Sequence, residues 1–202
     1  MVCLPDIRPQ NATRRFSQPA KLVRAIVARG LLHPNSTVLE VGAGCLRNAF
    51  YLLAQGHHVT VVERDEVRHR FRQEYSDFQT KHGTVVSAIP RGTFDLVLAT
   101  FVLETICPLD KRHALLGDMV RATRKGGVLA LALRGVSDVK TAKARGEPYL
   151  DGYVTPARTF VKPYTVSEIR SILLSFGLSK VDALARVDAP QIVNVIAVKG
   201  IG

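Results

Sequence analysis

One stretch of the sequence decides the fold, and it reads Val38-Leu39-Glu40-Val41-Gly42-Ala43-Gly44. The apolar residues at its start predict a buried β-strand, and residues 46–54 predict a helix that Gly56 prevents from continuing. Because glycine has no Cβ atom, the backbone can turn tightly there and a ligand can approach closely. The helix behind the loop presents free N–H groups and a partial positive charge. The stretch therefore predicts a ligand-binding loop between a strand and a helix.

Strands and helices alternate along much of the remaining chain. Apolar, β-branched segments predict strands, and the segments with helical spacing between them predict helices. This alternation is typical of β-α-β units, so we predict an α/β fold with a parallel sheet and helices on both faces. The predicted strands are 37–41, 59–62, 84–88, 94–100 and 128–133, and the predicted helices are 46–54, 66–78 and 109–123, preceded by a helix with Pro19 in its first turn and Gly30 as its stop.

Residues 134–163 break this alternation, since glycines and prolines occur there together with Tyr149, Tyr153 and Phe160. We interpret them as an inserted loop region, after which a helix over 166–176 and two strands near 179–184 and 192–198 close the chain. A chain of 202 residues fits one domain. We therefore predict a single domain with four parts: an N-terminal arm and cap helix (1–30), a cofactor-binding core (36–133), a substrate-side insertion (134–165) and a closing helix with two strands (166–202).

The composition restricts the kind of partner and the compartment. A formal net charge of +11 favours anionic partners such as nucleic acid, an acidic membrane surface or a phosphorylated or carboxylated small molecule. The alternative is a soluble enzyme from a lineage whose proteins are generally basic, in which case the charge indicates no partner. Cys3, Cys45 and Cys107 lie far apart without a C-x-x-C pair, so we predict no disulfide framework and no metal site. The sequence has no run of about 18 apolar residues and no signal peptide, which predicts no transmembrane segment and a cytoplasmic location.

The residues around the glycine loop distinguish between two classes of cofactor. The dinucleotide fingerprint G-x-G-x-x-G has a third glycine that permits close helix–strand packing, and Arg47 stands at that position here. A carboxylate at Glu40 would repel a pyrophosphate but suits an ammonium group. S-adenosylmethionine has an amino group and a sulfonium and no phosphate, so these residues favour it over NAD. Glu63, at the end of the second strand, stands where an acid accepts hydrogen bonds from ribose hydroxyls in both classes.

Four ordered motifs resemble those of the class I S-adenosylmethionine-dependent methyltransferases. The glycine stretch followed by Arg47-Asn48-Ala49-Phe50-Tyr51-Leu52 resembles their first motif, and Val61-Val62-Glu63-Arg64-Asp65 resembles the second. Phe94-Asp95-Leu96-Val97-Leu98-Ala99-Thr100 resembles the fourth-strand motif, and Arg124-Lys125-Gly126-Gly127-Val128-Leu129 resembles the turn into the fifth strand. The resemblance covers about residues 36–133. It implies a single Rossmann-like doubly wound domain whose seven-stranded, mostly parallel sheet has an antiparallel last strand.

The same resemblance implies the cofactor, S-adenosylmethionine with S-adenosylhomocysteine as its product, and the residues that bind it. Residues of the glycine loop would contact the methionine part of the cofactor, and the acid after the second strand would bind the ribose. Residues at the ends of the second and third strands would lie beside the adenine, and residues at the end of the fourth strand would border the sulfonium. The predicted cofactor-binding residues are Glu40, Gly42, Ala43, Gly44, Asn48, Glu63, Arg64, Ser87, Ala88, Thr100 and Phe101.

Acceptor-side residues are predicted from the rule that open α/β sheets bind ligands beyond the carboxyl ends of their strands. Glu104 and Tyr153 are the candidates for a general base, which methyl transfer needs only if the acceptor arrives protonated. Residues of the insertion are the candidates for holding the acceptor, and the basic ones suit an anionic acceptor. These candidates are Arg134, Tyr149, Asp151, Arg158 and Lys162.

We predict an enzyme that methylates a small or medium-sized metabolite, an anionic one if these basic residues contact it. An RNA or DNA methyltransferase that uses the basic arm is the alternative, although Thr100-Phe101-Val102-Leu103 stands where amino-methylating DNA enzymes have an Asn/Asp-Pro-Pro-aromatic motif. A catalytically silent adenosylmethionine-binding partner subunit and a nicotinamide oxidoreductase are further alternatives. The sequence predicts neither the acceptor atom nor the oligomeric state.

Overall fold

The computed structural model describes residues 6–184 and 191–200. Within these ranges the helices are α1 (Lys21–Ala28), α2 (Arg47–Ala54), α3 (Asp65–Arg70), α4 (Arg72–Thr80), α5 (Leu109–Ala122), α6 (Lys140–Arg145) and α7 (Val166–Ser175). The strands are β1 (Thr37–Val41), β2 (His58–Val62), β3 (Thr84–Val86), β4 (Phe94–Thr100), β5 (Thr123–Arg134), β6 (Glu147–Tyr149), β7 (Gly152–Val154), β8 (Phe160–Val161), β9 (Leu178–Ala183) and β10 (Ile192–Lys199). Short 3-10 helices cover Pro9–Ala12 and Leu103–Thr105.

Seven of the strands form one sheet in the order β3-β2-β1-β4-β5-β10-β9. The neighbours from β3 to β5 pair in parallel, whereas β10 runs antiparallel to both β5 and β9. The predicted α/β fold with an antiparallel last strand is therefore confirmed. The strand order reverses between β1 and β4, and the crevice at their carboxyl ends is the point where open sheets of this kind bind ligands.

Alternating side chains of the central strands bury into two apolar layers. Val38 and Leu96 face α1, α2, α3 and α4 on one side, while Leu39 and Val97 face α5 and α7 on the other. All four side chains are fully buried. Burial of such a side chain contributes about 1.5–3 kcal/mol, so the two layers together stabilise a rigid sheet beneath the crevice.

Several predicted elements differ in the structure, among them the fifth strand, which begins at Thr123 instead of 128, and the third, which ends at Val86 instead of 88. The predicted helix over 66–78 is two helices, because the backbone leaves the helical conformation at Phe71, whose ring is buried in the core. The first helix begins at Lys21, after Pro19, and Ala20 caps it. The predicted loop over 134–163 contains α6 and a small antiparallel sheet of β6, β7 and β8, whose strands of two or three residues are too short to produce a recognisable sequence pattern.

Lys199, the last residue of β10, closes the end of α5. Its Nζ donates hydrogen bonds to the carbonyl oxygens of Val120 (2.8 Å), Arg121 (3.3 Å) and Thr123 (2.7 Å). The last carbonyl groups of a helix have no partner within the helix, and a cation there also meets the negative end of the helix dipole. The side chain therefore joins the antiparallel last strand to the helix layer.

We expect Lys199→Met to lower the free energy of unfolding by about 2 kcal/mol, since charge-assisted hydrogen bonds are lost while the apolar stem is kept. Urea denaturation followed by circular dichroism measures the change. Lys125→Met is the matched control, because Lys125 is exposed at the start of β5. Equal stability of the two variants would show that the Lys199 ammonium contributes nothing.

Candidate active site

The glycine loop lies at the carboxyl end of β1, where the strand order reverses. Gly42 (φ +70°) and Gly44 (φ +57°) adopt the left-handed conformation that favours glycine. The N–H of Gly42 donates to the carbonyl oxygen of Val62 at the end of β2 (2.8 Å). A Cβ atom on Gly42 would lie 2.5 Å from Cγ2 of Val102, so the segment after β4 packs directly against the loop. Glycine at position 42 is thus required both for the turn and for this contact.

Asn48 connects the two strands that border the crevice. Its Nδ2 donates to Glu40 Oε1 (2.7 Å) and to Thr100 Oγ1 (3.1 Å), at the ends of β1 and β4. Its Oδ1 accepts from the backbone N–H of Ala20 (2.7 Å), at the start of α1. Asn48, Glu40 and Thr100 are all buried, so this network holds the strand ends in one arrangement.

Glu40 has one carboxylate oxygen left for a ligand. The side chain is buried, and among the described residues Oε2 has no hydrogen-bond partner. Burial raises the pKa of Glu40 to about 8, and the hydrogen bond from Asn48 opposes only part of this rise. An ammonium group placed against Oε2 would satisfy the oxygen and stabilise the ionised acid. The orphaned oxygen therefore fits the amino group of S-adenosylmethionine.

Glu63 lies beside the glycine loop at the end of β2. Its Oε2 accepts from the N–H of Gly44 (2.8 Å), and its Oε1 accepts from the N–H of Arg64 (2.9 Å). The acid thus connects the loop after β1 to the turn after β2. Arg64, Ser87 and Ala88 are exposed and follow the neighbouring strands β2 and β3, which places them at one edge of the crevice. This arrangement suits a ribose on Glu63 with an adenine beyond it.

The N-terminal arm (residues 6–18) covers the loop. A Cβ atom on Gly44 would lie 3.4 Å from Cγ2 of Thr13, and Phe16 donates its N–H to Cys45 Sγ (3.4 Å). Farther back, the N–H of Arg8 donates to the carbonyl oxygen of Arg158 (2.7 Å). The arm therefore spans from the insertion to the glycine loop across the top of the crevice.

Glu104 lies in the 3-10 helix after β4, on the side that the sequence predicts to bind the acceptor. Its side chain is fully buried, and within the described part of the chain neither carboxylate oxygen has a hydrogen-bond partner. Burial raises the pKa of Glu104 to about 8, while nearby backbone N–H groups and the Arg134 guanidinium counteract part of the rise. Phe101, at the same end of β4, has a left-handed backbone (φ +60°) and packs its ring 5.5 Å from the Arg134 guanidinium. A strained backbone and an unsatisfied acid at one place are typical of a reaction site.

Three of the predicted acceptor-binding residues have partners inside the protein. Arg134 pairs with Asp138, Asp151 pairs with Arg112, and Lys162 pairs with Glu168 (2.7 Å). These ion pairs leave Tyr149 and Tyr153, both half-buried on the small sheet, and the exposed Arg158 as the candidates without such a pair among the described residues.

Sequence reasoning missed two residues that shape the site. Arg112 is 2% exposed and donates to the carbonyl oxygens of Ile106 (2.7 Å) and Cys107 (2.9 Å), so it fixes the segment after Glu104. Tyr75 donates its hydroxyl to the carbonyl oxygen of Gly44 (3.1 Å) and supports the loop from α4. An arginine among exposed residues of a helix and a tyrosine at a core position carry no sequence signal for these roles.

The described residues include no group of three or more His, Cys, Asp or Glu side chains that could hold a metal ion, and Cys3 lies outside them. No helix in the described part of the chain is long and apolar enough to cross a membrane.

The sequence matches the family described as Methyltransferase domain over residues 39–131. No curated protein sequence matches the chain. Among solved structures, the 1,6-didemethyltoxoflavin-N1-methyltransferase of Burkholderia thailandensis, with bound 1,6-didemethyltoxoflavin and S-adenosylhomocysteine, is 22% identical with a TM-score of 0.69, over 90% of this chain and 79% of that one. The CcbJ methyltransferase of Streptomyces caelestis is 16% identical with a TM-score of 0.69, over 91% of each chain. The magnesium protoporphyrin IX methyltransferase ChlM of Synechocystis PCC 6803, with bound S-adenosylmethionine, is 17% identical with a TM-score of 0.61, over 89% of this chain and 76% of that one.

We expect the binding of S-adenosylhomocysteine at pH 7 to release close to one proton, because Glu40 has a pKa of about 8 and would ionise against the ligand ammonium. Isothermal titration calorimetry in buffers of different ionisation enthalpy measures the proton count. Glu40→Gln removes the titrating group and should abolish the release, whereas Glu66→Gln, on the exposed start of α3, should not. Equal proton release by Glu40→Gln and the wild type would show that another group titrates.

Proposed function

We propose that the chain is a class I S-adenosylmethionine-dependent methyltransferase and that its acceptor is a small or medium-sized metabolite. The observation that carries this proposal is the enclosure of Glu104. Its side chain is fully buried, and the insertion is joined to the backbone of the same residue, since the N–H of Lys162 donates to the main-chain carbonyl oxygen of Glu104 (2.9 Å). An acceptor atom that reaches this acid must enter a confined space, which suits a small molecule better than a nucleic acid duplex.

We further propose that the residues around the glycine loop hold the cofactor. The free oxygen of Glu40 would take the ammonium, Glu63 the ribose hydroxyls, and Gly42, Ala43, Gly44 and Asn48 the surrounding backbone and amide contacts. Thr100 and Phe101 would border the sulfonium side, with Arg64, Ser87 and Ala88 beside the adenine. In this proposal residues 36–133 bind the cofactor and residues 134–165 bind the acceptor.

Glu104 is the proposed general base. When bound, the cofactor supplies a methyl group on a sulfonium, which needs an aligned acceptor atom with a free electron pair. An acceptor that arrives as an O–H or N–H group must lose its proton during the transfer, and an ionised Glu104 can take it. Tyr153, a half-buried residue of β7, is the second candidate: its hydroxyl would position the acceptor, and its phenolate form would accept the proton.

A nucleic acid acceptor is the second candidate function, and one observation favours it. Basic side chains gather around Phe16, whose ring is 47% exposed: the Arg47 guanidinium lies 4.3 Å from its centroid, and Arg70 donates to the carbonyl oxygen of Thr13 (3.1 Å). Exposed aromatic rings beside guanidinium groups are typical of single-stranded nucleic acid sites. Both arginines already donate to carbonyl oxygens of the arm, Arg47 to Gln18 (3.3 Å) and Arg70 to Thr13, so the small-molecule acceptor accounts for more of the structure.

Incubation with radiolabelled S-adenosylmethionine and a cell extract separates the candidates. We expect label in the fraction of small molecules and none in purified RNA or DNA. Labelled nucleic acid, together with binding that weakens steeply with salt, would replace the proposal by the second function. Cofactor binding without transfer to any fraction would favour the silent partner subunit.

We expect the kcat/KM of the wild type to rise with pH between about 6 and 8 and to level off above 8, since burial raises the pKa of Glu104 to about 8 and only the ionised acid is a base. Glu104→Gln should lower kcat by about 10²–10⁴-fold and remove this dependence. Asp110→Asn, at the exposed start of α5, is the control. A Glu104→Gln variant with the wild-type pH profile would assign the base to another residue.

We expect Glu63→Ala to weaken the binding of S-adenosylhomocysteine at least tenfold, which corresponds to about 1.4 kcal/mol of lost charge-assisted hydrogen bonding. Calorimetry measures the affinity, and thermal unfolding checks that the loop held by Glu63 survives the change. The control variant Glu66→Ala, at the exposed start of α3, should bind S-adenosylhomocysteine as the wild type does. An unchanged affinity in Glu63→Ala would place the ribose elsewhere.

A further inference from the structure

The insertion forms a second cleft, separate from the crevice at the ends of β1 and β4. Its volume is about 370 Å³, and it opens to solvent beside the small sheet. Two arginines, one from the end of α6 and one from the turn between β7 and β8, line it together with one acid, one threonine and two apolar residues. The lining residues are Arg145, Glu147, Val154, Thr155, Pro156 and Arg158.

The backbone holds both arginines at the rim of this cleft. A Cβ atom on Gly146 would lie 2.5 Å from the carbonyl oxygen of Ala142 and 2.7 Å from that of Val154, so the end of α6 packs closely against β7. This packing fixes the backbone of the neighbouring Arg145. On the other side, the N–H of Thr155 donates to the carbonyl oxygen of Thr159 (2.8 Å), which closes a tight turn. Arg158 has a left-handed backbone (φ +61°) within this turn, a conformation that is uncommon for a side chain of its size.

The charges in this cleft are not balanced. Within residues 6–184 and 191–200, neither Arg145 nor Arg158 forms a salt bridge, in contrast to Arg134 and Lys162 of the same insertion. Glu147 is the acid among the lining residues, so the cleft carries one excess positive charge at neutral pH. Asp6 of the arm lies nearby, and its pKa is lowered mainly by its hydrogen bond from Arg8 and to a smaller extent by the charge of Arg158.

We propose that this cleft binds an oxyanion, a phosphate or a carboxylate group, on the methyl acceptor. The inference rests on the proposed function and narrows it to acceptors that carry such a group away from the methylated atom. A guanidinium presents a planar fork of hydrogen-bond donors that matches the geometry of an oxyanion. Two guanidinium groups that line one cleft therefore favour the binding of an oxyanion more than one does. The apolar Val154 and Pro156 would contact the carbon skeleton next to the oxyanion.

The position of the cleft relates it to the acceptor side of the active site. The same small sheet that carries Arg158 is tied to Glu104 through the N–H of Lys162. The turn that carries Arg158 also receives the arm, since Asn11 Nδ2 donates to the carbonyl oxygen of Ala157 (3.0 Å). An acceptor anchored here would therefore lie between the proposed base and the arm that covers the cofactor loop.

The test follows the guanidinium Nε–Hε signals of Arg145 and Arg158 by NMR in protein saturated with S-adenosylhomocysteine. Inorganic phosphate and acetate are titrated in separate experiments, which distinguishes the two sources of an oxyanion. We expect saturable shifts of both arginine signals with at least one of the probes and none for Arg170, an exposed residue of α7. Arg145→Gln and Arg158→Gln should each weaken the binding of the probe at least about fivefold, and Arg170→Gln should leave the affinity for the probe unchanged.

Shifts that grow linearly without saturation, or that are equal for Arg170, would overturn the proposal and show an adventitious ion only. A single-stranded RNA that saturates the Arg145 and Arg158 signals while both small probes fail would overturn it in favour of a nucleic acid surface. Calorimetric titration of S-adenosylhomocysteine is carried out separately on each variant. Loss of cofactor binding in the wild type would refute the proposed function itself, whereas intact cofactor binding without anion binding would refute this inference alone.

Discussion

The side-chain amide of Asn48 is the contact on which the arrangement of the site depends. It joins the end of β1 through Glu40, the end of β4 through Thr100 and the start of α1 through the backbone of Ala20. Strands β1 and β4 pair in parallel up to Val41 and Ala99, and the buried Asn48 side chain adds a link between the residues at their carboxyl ends. Each partner left unsatisfied in such a buried network costs about 1–3 kcal/mol, which makes one arrangement strongly preferred. The start of α1, the glycine loop after β1 and the end of β4 are thereby held in one arrangement.

Two buried acids border this geometry, and both are costly for the fold. Burial raises the pKa of Glu40 and of Glu104 to about 8, so both are largely protonated in the folded chain at neutral pH, while in the unfolded chain they ionise near pH 4.5. Because the folded-state pKa is the higher one, the acids add no such cost below the unfolded pKa of 4.5, and the cost to folding grows as the pH rises from 4.5 through 8. A chain selected for stability alone would place apolar residues there. Among the described residues, one carboxylate oxygen of Glu40 and both oxygens of Glu104 lack a hydrogen-bond partner, and we propose that the first serves a cation and the others the acceptor.

Much of the fold could be predicted from the sequence, because the motifs of the core are local. The glycines at 42 and 44 occupy left-handed positions, and the apolar runs of β1 and β4 are buried throughout the sheet. The insertion could not be predicted, since its strands of two or three residues leave no periodicity, and its order comes from contacts distant in sequence such as Arg112 with Asp151. The break at Phe71 has the same origin: a buried ring, rather than a proline or glycine, ends α3. The candidate site was predictable where it follows a strand end and unpredictable where it depends on ion pairs across the insertion.

The basic composition illustrates why charge alone did not indicate the acceptor. The net charge of +11 counts Arg134 and Lys162 on equal terms with Arg145 and Arg158. In the structure Arg134 pairs with Asp138 and Lys162 pairs with Glu168 of α7, so both charges are already matched inside the protein. Arg145, which no sequence pattern singled out, faces a cleft with Arg158 because Gly146 lets α6 approach β7. Which cations of a basic protein remain for a ligand is therefore decided by tertiary packing, and here that packing places Arg145 and Arg158 together at one cleft.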